Sequence, residues 1–263
     1  MELPIVEYPT FTTDLPSTGQ KIKYRPFIVA EEKIFLMALE SKDINQMISA
    51  TKDIVDACTF NKLKIDTLPS FDIEYMLVKL RSKSKGEIIP LKYACTKFIT
   101  DSNDALVIDE QSKMPIQCGK PKIVKFNLDD VQVVRTKGVA DTVTLDETNK
   151  IGVKLRYPTF NDIKTTDFKG LFAADPEAAT KIIYDSVECI FSGDQMISTK
   201  DFTLKEFIAW VDKLPGYMHD KLQDHIQEFH ENMPRVVGIV DYTCACGKYN
   251  QKIPIEALSS FFV

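Results

Sequence analysis

Two of the six cysteines in this chain, Cys244 and Cys246, lie one residue apart in the stretch YTCACGKYN. Thiolates are good ligands for zinc, and a structural zinc site needs four ligands arranged as a tetrahedron. The chain has no other pair of cysteines at such short spacing. If this pair binds a metal ion, the remaining ligands must come from a distant part of the sequence.

An internal repeat indicates where those ligands are. The strand-like segment LKYAC ends at Cys95, and the similar segment VDYTC ends at Cys244. The triplet CGK begins at Cys118 and again at Cys246. Each half of the chain therefore supplies one cysteine that closes a strand and one that opens the next. The glycine of each triplet allows the tight turn that a metal-binding knuckle requires.

The rest of the chain repeats in the same order. Arg25 and Cys58 are 33 residues apart, and so are Arg156 and Cys189. The dipeptide Leu-Pro then recurs in each half, before a helix-like stretch and a strand. We interpret the chain as an ancestral duplication, because the alternative, chance similarity, leaves the paired cysteines unexplained.

The repeat predicts the domain organisation. Residues 1–19 are expected to form an N-terminal arm, 20–135 the first copy, 136–149 a linker and 150–263 the second copy. The helical segments are grouped and do not alternate with strands, which is typical of the α+β class. We predict two pseudo-symmetric helical lobes that meet at a small zinc-ribbon-like β region.

Our hypothesis for the cysteines is a single structural Zn²⁺ shared by the two copies, with Cys95, Cys118, Cys244 and Cys246 as its ligands. In a reducing cytoplasm such cysteines are more often thiols or metal ligands than disulfides. The spacings differ from the usual Cys-x-x-Cys, since one pair is separated by one residue and the other by 22. Two alternatives stay open: a relic site that no longer binds metal, and a redox role.

Two helices that position these segments are well marked. In Ile44–Cys58 the apolar residues fall on one helical face. Thr203 and Glu206 have the spacing of a capping box, and Phe202 and Phe207 are spaced for a hydrophobic staple. Further helices are predicted after each Leu-Pro dipeptide.

The two remaining cysteines, Cys58 and Cys189, are predicted to lie in apolar helices as buried filler, where a thiol behaves as a small hydrophobic group. The helix that carries Cys189 is expected to begin at Asp175, because an aspartate cap followed by proline is a common helix start.

No catalytic constellation stands out. The three histidines, His219, His225 and His230, share one polar helix with gaps of six and five residues, so none has the i, i+4 partner of a helical metal pair. We expect solvated or capping roles for them. The chain also lacks a glycine-rich phosphate loop and a Gly-x-Ser-x-Gly motif. We therefore predict that the protein is not an enzyme.

Composition narrows the possible partners. The 263 residues carry a formal net charge of −5, which disfavours nucleic acid as the main partner. No apolar run approaches the roughly 18 residues of a membrane span. The N-terminal MELPIVEYPT lacks the basic-then-apolar order of a signal peptide. We expect a cytoplasmic protein that does not interact with membranes.

Three stretches carry a resemblance to a known family. KYRPFIVAEEKIFLMALES, LPSFDIEYMLVKLRSKSKGE and YTCACGKYNQKIPIEALSSFF resemble the baseplate hub proteins of T-even-like contractile-tailed phages. The resemblance implies a non-enzymatic hub subunit or hub assembly protein, acting as an assembly chaperone or a minor structural component. Its partners would be baseplate hub or other tail proteins. Its location would be the cytoplasm of the infected host cell or the tail baseplate of the virion.

The loop between Cys95 and Cys118 and the faces of the helices after Leu-Pro are the expected binding surfaces. The alternative function is a zinc-ribbon regulatory module that binds nucleic acid or the transcription machinery. Such a module needs a basic face, and the first copy supplies five lysines near its cysteines: Lys92, Lys97, Lys120, Lys122 and Lys125.

Overall fold

The computed structural model describes residues 7–41, 43–101, 103, 105–135, 138–159, 162, 181, 183–245 and 249–255. The α-helices found in these ranges are α1 (Val29–Ser41), α2 (Ile44–Cys58), α3 (Ser70–Lys85), α4 (Leu204–Val211) and α5 (Gly216–Glu231). The strands are β1 (Phe11–Asp14), β2 (Lys21–Tyr24), β3 (Ile88–Ala94), β4 (Pro121–Asn127), β5 (Gln132–Val134), β6 (Thr142–Asp146), β7 (Ile151–Leu155), β8 (Val187–Ser192), β9 (Gln195–Ser198), β10 (Arg235–Thr243) and β11 (Asn250–Ile255). Mixed helices and antiparallel strands confirm the α+β class.

The chain divides into two compact units. Unit 1 consists of Met1–Met76 and Val133–Arg235, and unit 2 of Leu77–Gln132 and Val236–Val263. Each unit thus takes one segment from each half of the chain.

Unit 1 begins with a hairpin and two helices. Strands β1 and β2 pair antiparallel within residues 11–24, in and just beyond the range predicted as an arm. Helix α2 begins at Asp43, whose carboxylate accepts the main-chain N–H groups of Asn45 and Gln46. Its inward face buries Val55 and Cys58 completely. The predicted helix Ile44–Cys58 is therefore confirmed.

The second segment of unit 1 folds as a four-stranded antiparallel sheet with the order β6-β7-β8-β9. Helices α4 and α5 share a hydrophobic core with this sheet, and its most buried members include Val153, Phe207, Leu222, Ile226 and Phe229. Alternation of buried and exposed residues in the strands and a 3.6-residue stripe in α5 explain why these faces meet.

The start of α4 confirms the predicted capping box. The hydroxyl of Thr203 accepts the N–H of Glu206 at 3.3 Å, and the Glu206 carboxylate accepts the N–H of Thr203 at 2.7 Å. The rings of Phe202 and Phe207 stack with their centroids 6.0 Å apart, as a hydrophobic staple requires.

The prediction that Cys189 lies in a helix is wrong. Residues 183–186 are helical, but the chain then enters β8, which pairs antiparallel with β7 and β9. Val187, Ile190 and Phe191 favour a strand, and Gly193, at φ +60°, permits the tight turn into β9. Cys189 is nevertheless buried, as expected. The predicted helix start at Asp175 lies outside the described residues.

An ion pair fixes the chain where it leaves β2. The Arg25 guanidinium donates to both carboxylate oxygens of Glu31, at 2.7 and 3.0 Å, and Glu31 also accepts the N–H of Ile28 at 2.8 Å. Burial raises the pKa of Glu31, but these hydrogen bonds outweigh it, so that the pKa is lowered. The Arg25 N–H donates to the carbonyl of Cys58, at the end of α2, at 2.9 Å.

The same arrangement recurs where the chain leaves β7. Arg156 donates to the carboxylate of Asp162 at 2.6 and 3.4 Å, and Asp162 also accepts the N–H of Thr159 at 2.7 Å. The Arg156 N–H donates at 2.8 Å to the carbonyl of Ser186, the last helical residue before β8. Arginine and carboxylate are six residues apart in both cases.

Unit 2 contains two antiparallel hairpins, β3–β4 and β10–β11. Ala94 pairs with Pro121 at the end of the first hairpin, and Thr243 pairs with Asn250 at the corresponding end of the second. Cys95 and Cys118 lie at the first of these ends, and Cys244 lies at the second.

Candidate metal centre

Three of the four predicted ligands come together in unit 2. The sulfur atoms of Cys95, Cys118 and Cys244 all lie within 4.8 Å of one another, and the Sγ atoms of Cys118 and Cys244 are 3.6 Å apart. Cys95 and Cys244 are each only 2% exposed, and Cys118 is half-buried. Cys246, the fourth predicted ligand, lies outside the described residues.

The first hairpin holds Cys95 and Cys118 through its backbone. The Cys95 N–H donates to the carbonyl of Lys120 at 3.2 Å, and the Gly119 N–H donates to the carbonyl of Cys95 at 3.0 Å. Gly119 has a φ of +60°, a conformation that glycine adopts without strain. This explains the CGK triplet before the returning strand β4: the glycine allows the turn that leaves the Cys118 thiol close to Cys95.

The second hairpin repeats the closing bond. The Cys244 N–H donates to the carbonyl of Tyr249 at 2.8 Å, as the Cys95 N–H does to Lys120. Lys120 is the last residue of the first CGK triplet and Tyr249 directly follows the second, so each acceptor immediately precedes the returning strand. The two closures differ by one residue in length, since Tyr249 lies three residues after its CGK cysteine and Lys120 two.

Polar and aromatic contacts join the two hairpins around the thiols. The rings of Tyr93 and Tyr242 meet edge to face with centroids 4.7 Å apart. Gln251 Nε2 donates to the Tyr93 hydroxyl at 3.0 Å, and Lys122 Nζ donates to the carbonyl of Thr243 at 2.7 Å. The arrangement of the thiols is thus supported from both hairpins.

Tyr242 has a buried hydroxyl beside the thiols. The residue is 1% exposed, and its oxygen has no partner at hydrogen-bonding geometry among the described residues. Burial raises the pKa of this phenol well above its usual value. A protonated hydroxyl in such a place needs an acceptor, and a thiolate sulfur is a far better one than a thiol.

The sulfur spacing fits metal coordination more closely than a disulfide. Zn–S bonds of about 2.3 Å in a tetrahedron place the sulfurs about 3.8 Å apart. The observed 3.6 Å between Cys118 and Cys244 is close to this value. A disulfide would instead require about 2.05 Å. The three thiols could also act as a redox group, but that chemistry would require the sulfurs to move together.

The remaining cysteines have a different environment. Burial, and then the charge of Glu31, raise the pKa of the Cys58 thiol to about 12. Burial, and then Glu188, also raise the pKa of Cys189. Both thiols stay protonated at neutral pH. Cys58 and Cys189 are buried as predicted, but the Cys58 sulfur also hydrogen-bonds with Glu31 and Arg25, each at 3.8 Å, so it is not only apolar filler.

The insertion between Cys95 and Cys118 forms an exposed β-like arm, which we call the insertion arm (residues 96–117). Its backbone is held by antiparallel bridges, including Phe98 with Gln117 and Ile108 with Pro115. None of the described residues in this range is buried. Four large apolar side chains are exposed on it: Phe98, Leu106, Ile108 and Met114.

The base of the insertion arm is tied to the thiols. The Cys118 N–H donates to the carbonyl of Lys97 at 2.8 Å, which closes the arm at its root. The Tyr249 hydroxyl donates to the carbonyl of Phe98 at 2.6 Å. Both hairpins of unit 2 therefore hold the start of the arm.

The histidines only partly match the prediction. His225 Nε2 lies 2.9 Å from the carbonyl of Ala140 on a polar surface. His230, in contrast, is packed inward with Nε2 2.7 Å from the hydroxyl of Ser186, and burial lowers its pKa. No local sequence pattern predicts this pair, because the two residues are 44 positions apart. Ser186 is buried and His230 is half-buried, so the contact satisfies the hydrogen-bonding needs of both side chains.

No α-helix within the described ranges combines the length and hydropathy needed to cross a membrane.

Comparison with known proteins gives one match. A family model described as "T4 bacteriophage base plate protein" matches residues 8–263. No curated protein and no solved structure matches the chain. The matched range includes the insertion arm, both ion-pair motifs and all six cysteines.

Proposed function

The chain belongs to the T4 bacteriophage base plate protein family, as its sequence resemblance predicted, and from this we propose a specific role in assembly of the baseplate hub. The family makes it a protein of the phage tail. In our proposal it is a non-enzymatic assembly chaperone or minor hub subunit that binds other tail proteins. The observation that carries the proposal is the family match over 8–263.

The insertion arm supports a binding role. Its exposed apolar side chains Phe98 (42%), Leu106 (50%), Ile108 (46%) and Met114 (67%) lie on one short segment whose backbone is anchored at the root. Large apolar side chains concentrated on an exposed segment are typical of protein interaction sites. We assign the arm to contact with another tail protein.

We further propose that the chain is an internal duplication that presents two similar but unequal surfaces to its partners. Two observations support this. The ion pairs Arg25–Glu31 and Arg156–Asp162 have the same spacing and the same accessory hydrogen bonds. The N–H groups of Cys95 and Cys244 make equivalent closing bonds. Two related surfaces suffice to bridge different hub components or two copies of one.

Under this proposal, the chain acts first in the host cytoplasm, where tails are built. A minor subunit then stays in the virion baseplate, and an assembly chaperone leaves. Quantitative mass spectrometry of purified virions separates the two roles, since only a subunit is retained at a fixed number per particle.

Capture from infected cells tests the proposal. The phage-encoded chain, carrying an affinity tag, is cross-linked during infection and purified both with and without nuclease treatment. We expect baseplate hub or other tail proteins to be enriched over a tagged unrelated phage protein. Recovery of nucleic acid with salt-dependent binding, and of no tail protein, would overturn the proposal in favour of the regulatory alternative.

A further inference from the structure

We propose that the thiolates of Cys95, Cys118 and Cys244 hold a structural zinc ion that locks the two hairpins of unit 2 together. The sequence predicts Cys246 as the fourth ligand. The inference goes beyond the assembly role, because it concerns how unit 2 is held in its folded form. Each thiol releases its proton to solvent when the metal binds.

The chemistry of the donors selects zinc. The clustered donors among the described residues are sulfur atoms alone, with no carboxylate or imidazole in the group. Soft thiolate sets of tetrahedral geometry are typical of structural zinc. The spacing of 3.6 Å between Cys118 and Cys244 agrees with the edge of about 3.8 Å that such a site requires.

The Tyr242 hydroxyl is an independent observation. It is buried next to the three thiols without a hydrogen-bond partner among the described residues. Groups around a metal site commonly donate hydrogen bonds to its ligands. With the thiols converted to thiolates, the hydroxyl gains a charged acceptor and the unsatisfied donor disappears.

The hydrophobic core around the thiols is small, so a bound zinc ion would add stability that the core does not supply. The buried cluster at this end of unit 2 consists of Cys95, Tyr242 and Cys244, with half-buried neighbours around them. The β3–β4 hairpin is a two-stranded sheet, and β10–β11 forms a three-stranded sheet with β5. Such small sheets are marginal in isolation, and small β modules commonly use a metal in place of a larger core. Cys118 and Cys244 are 126 residues apart, so one ion joins two segments that are distant in the sequence.

A metal at this place also fixes the insertion arm. Cys95 and Cys118 are the residues that flank the arm, and the Cys118 N–H closes its root on Lys97. Holding both sulfurs on one ion holds both ends of the arm.

The first test is metal content. The full-length chain is produced in a bacterial cytoplasm, purified with a reductant and without chelators, and analysed by mass spectrometry of the elements. We expect about one zinc per chain, in keeping with a single four-ligand site. The serine variants C118S and C244S should lose the zinc. The controls are C58S and C189S, which alter buried cysteines outside the cluster and should retain it.

Wild-type protein provides a test that does not depend on variants that fail to fold. Cobalt(II) replaces zinc after chelation, and the absorption spectrum should show thiolate-to-cobalt charge transfer and tetrahedral d–d bands. C246S should weaken these bands, and an unchanged spectrum would exclude Cys246 as the fourth ligand. Less than about half an equivalent of zinc together with no cobalt–thiolate absorption would overturn the site.

The tyrosine pair gives a matched control. Y242F removes the buried hydroxyl beside the thiols, and Y93F removes the hydroxyl that accepts from Gln251. Because hydrogen bonds to metal ligands affect affinity by about 10- to 100-fold, Y242F should weaken zinc binding about tenfold or more and Y93F much less. Equal affinity of the two variants would contradict the assigned thiolate hydrogen bond.

Discussion

The ring of Phe126 packs against the backbone of Gly238, so closely that a Cβ on Gly238 would come within 2.4 Å of the ring carbon Cζ. Phe126 belongs to β4 and Gly238 to β10, and Phe126 is only 3% exposed. This contact and the Tyr93–Tyr242 contact are two places where the hairpins of unit 2 meet.

Alanine at Gly238 should therefore destabilise unit 2. The added methyl group overlaps a buried ring that has little room to move, and overpacking of this kind costs about 1 to 3 kcal/mol. The matched control is G216A, where a Cβ meets no atom within 4 Å. The free energy of unfolding of unit 2 is measured from amide hydrogen exchange in β10 at increasing urea concentrations. Equal stability of the two variants would contradict the packing described here.

The repeated ion pairs predict a dependence of stability on pH. The pKa values of Glu31 and Asp162 are lowered in the folded protein, since hydrogen bonds from Arg25 and Arg156 outweigh the effect of burial. Their contribution is therefore present above the unfolded pKa of about 4 and is lost as pH falls through the folded pKa. E31Q and D162N should each flatten the acid limb of the stability curve, measured by urea unfolding.

The matched control for these variants is E40Q, an exposed carboxylate on α1. If E40Q flattens the acid limb as much as E31Q does, the ion pair is not the cause.

His230 predicts a second, milder pH effect. Burial lowers its pKa below the usual value of about 6.5, so the unfolded chain binds a proton more readily than the folded protein does. Stability should consequently fall as pH drops below about 6.5. H230Q keeps a polar group opposite Ser186 and does not titrate, so it should remove this part of the slope. H219Q, on the same helix, should leave it in place.

The insertion arm predicts a loss of partner binding without loss of fold. The triple variant F98S/I108S/M114S removes exposed apolar side chains and should unfold at the same temperature as wild type. In the cross-linking experiment it should recover much less tail protein. The control is M196S/I197S, which removes exposed apolar residues from β9 in unit 1. Equal recovery with both variants would exclude the arm as the binding element.

Several elements of the fold can be predicted from local patterns in the sequence. Helix α2, the Thr203–Glu206 capping box and the strands that end before Cys95 and Cys244 all follow from residue order over short distances. The proximity of Cys95, Cys118 and Cys244 follows the pattern of the proposed repeat, which pairs cysteines of the two halves of the chain.

Features that depend on distant contacts were less predictable. The apolar periodicity around Cys189 predicts a helix, but pairing with β7 and β9 on both sides makes β8 a strand. The Ser186–His230 hydrogen bond has no sequence signature, since it depends on how α5 packs. The same holds for the Tyr242 hydroxyl, whose burial beside the thiols follows from the meeting of two hairpins.

The most direct measurement of the central claim is baseplate assembly in the absence of this chain. Cells infected with a phage that carries a deletion of the coding sequence are lysed, and tail intermediates are separated by sedimentation and counted by electron microscopy. We expect complete baseplates and tails to be missing and the wild-type chain supplied in trans to restore them. Normal numbers of complete baseplates without the chain would contradict the proposed role in assembly.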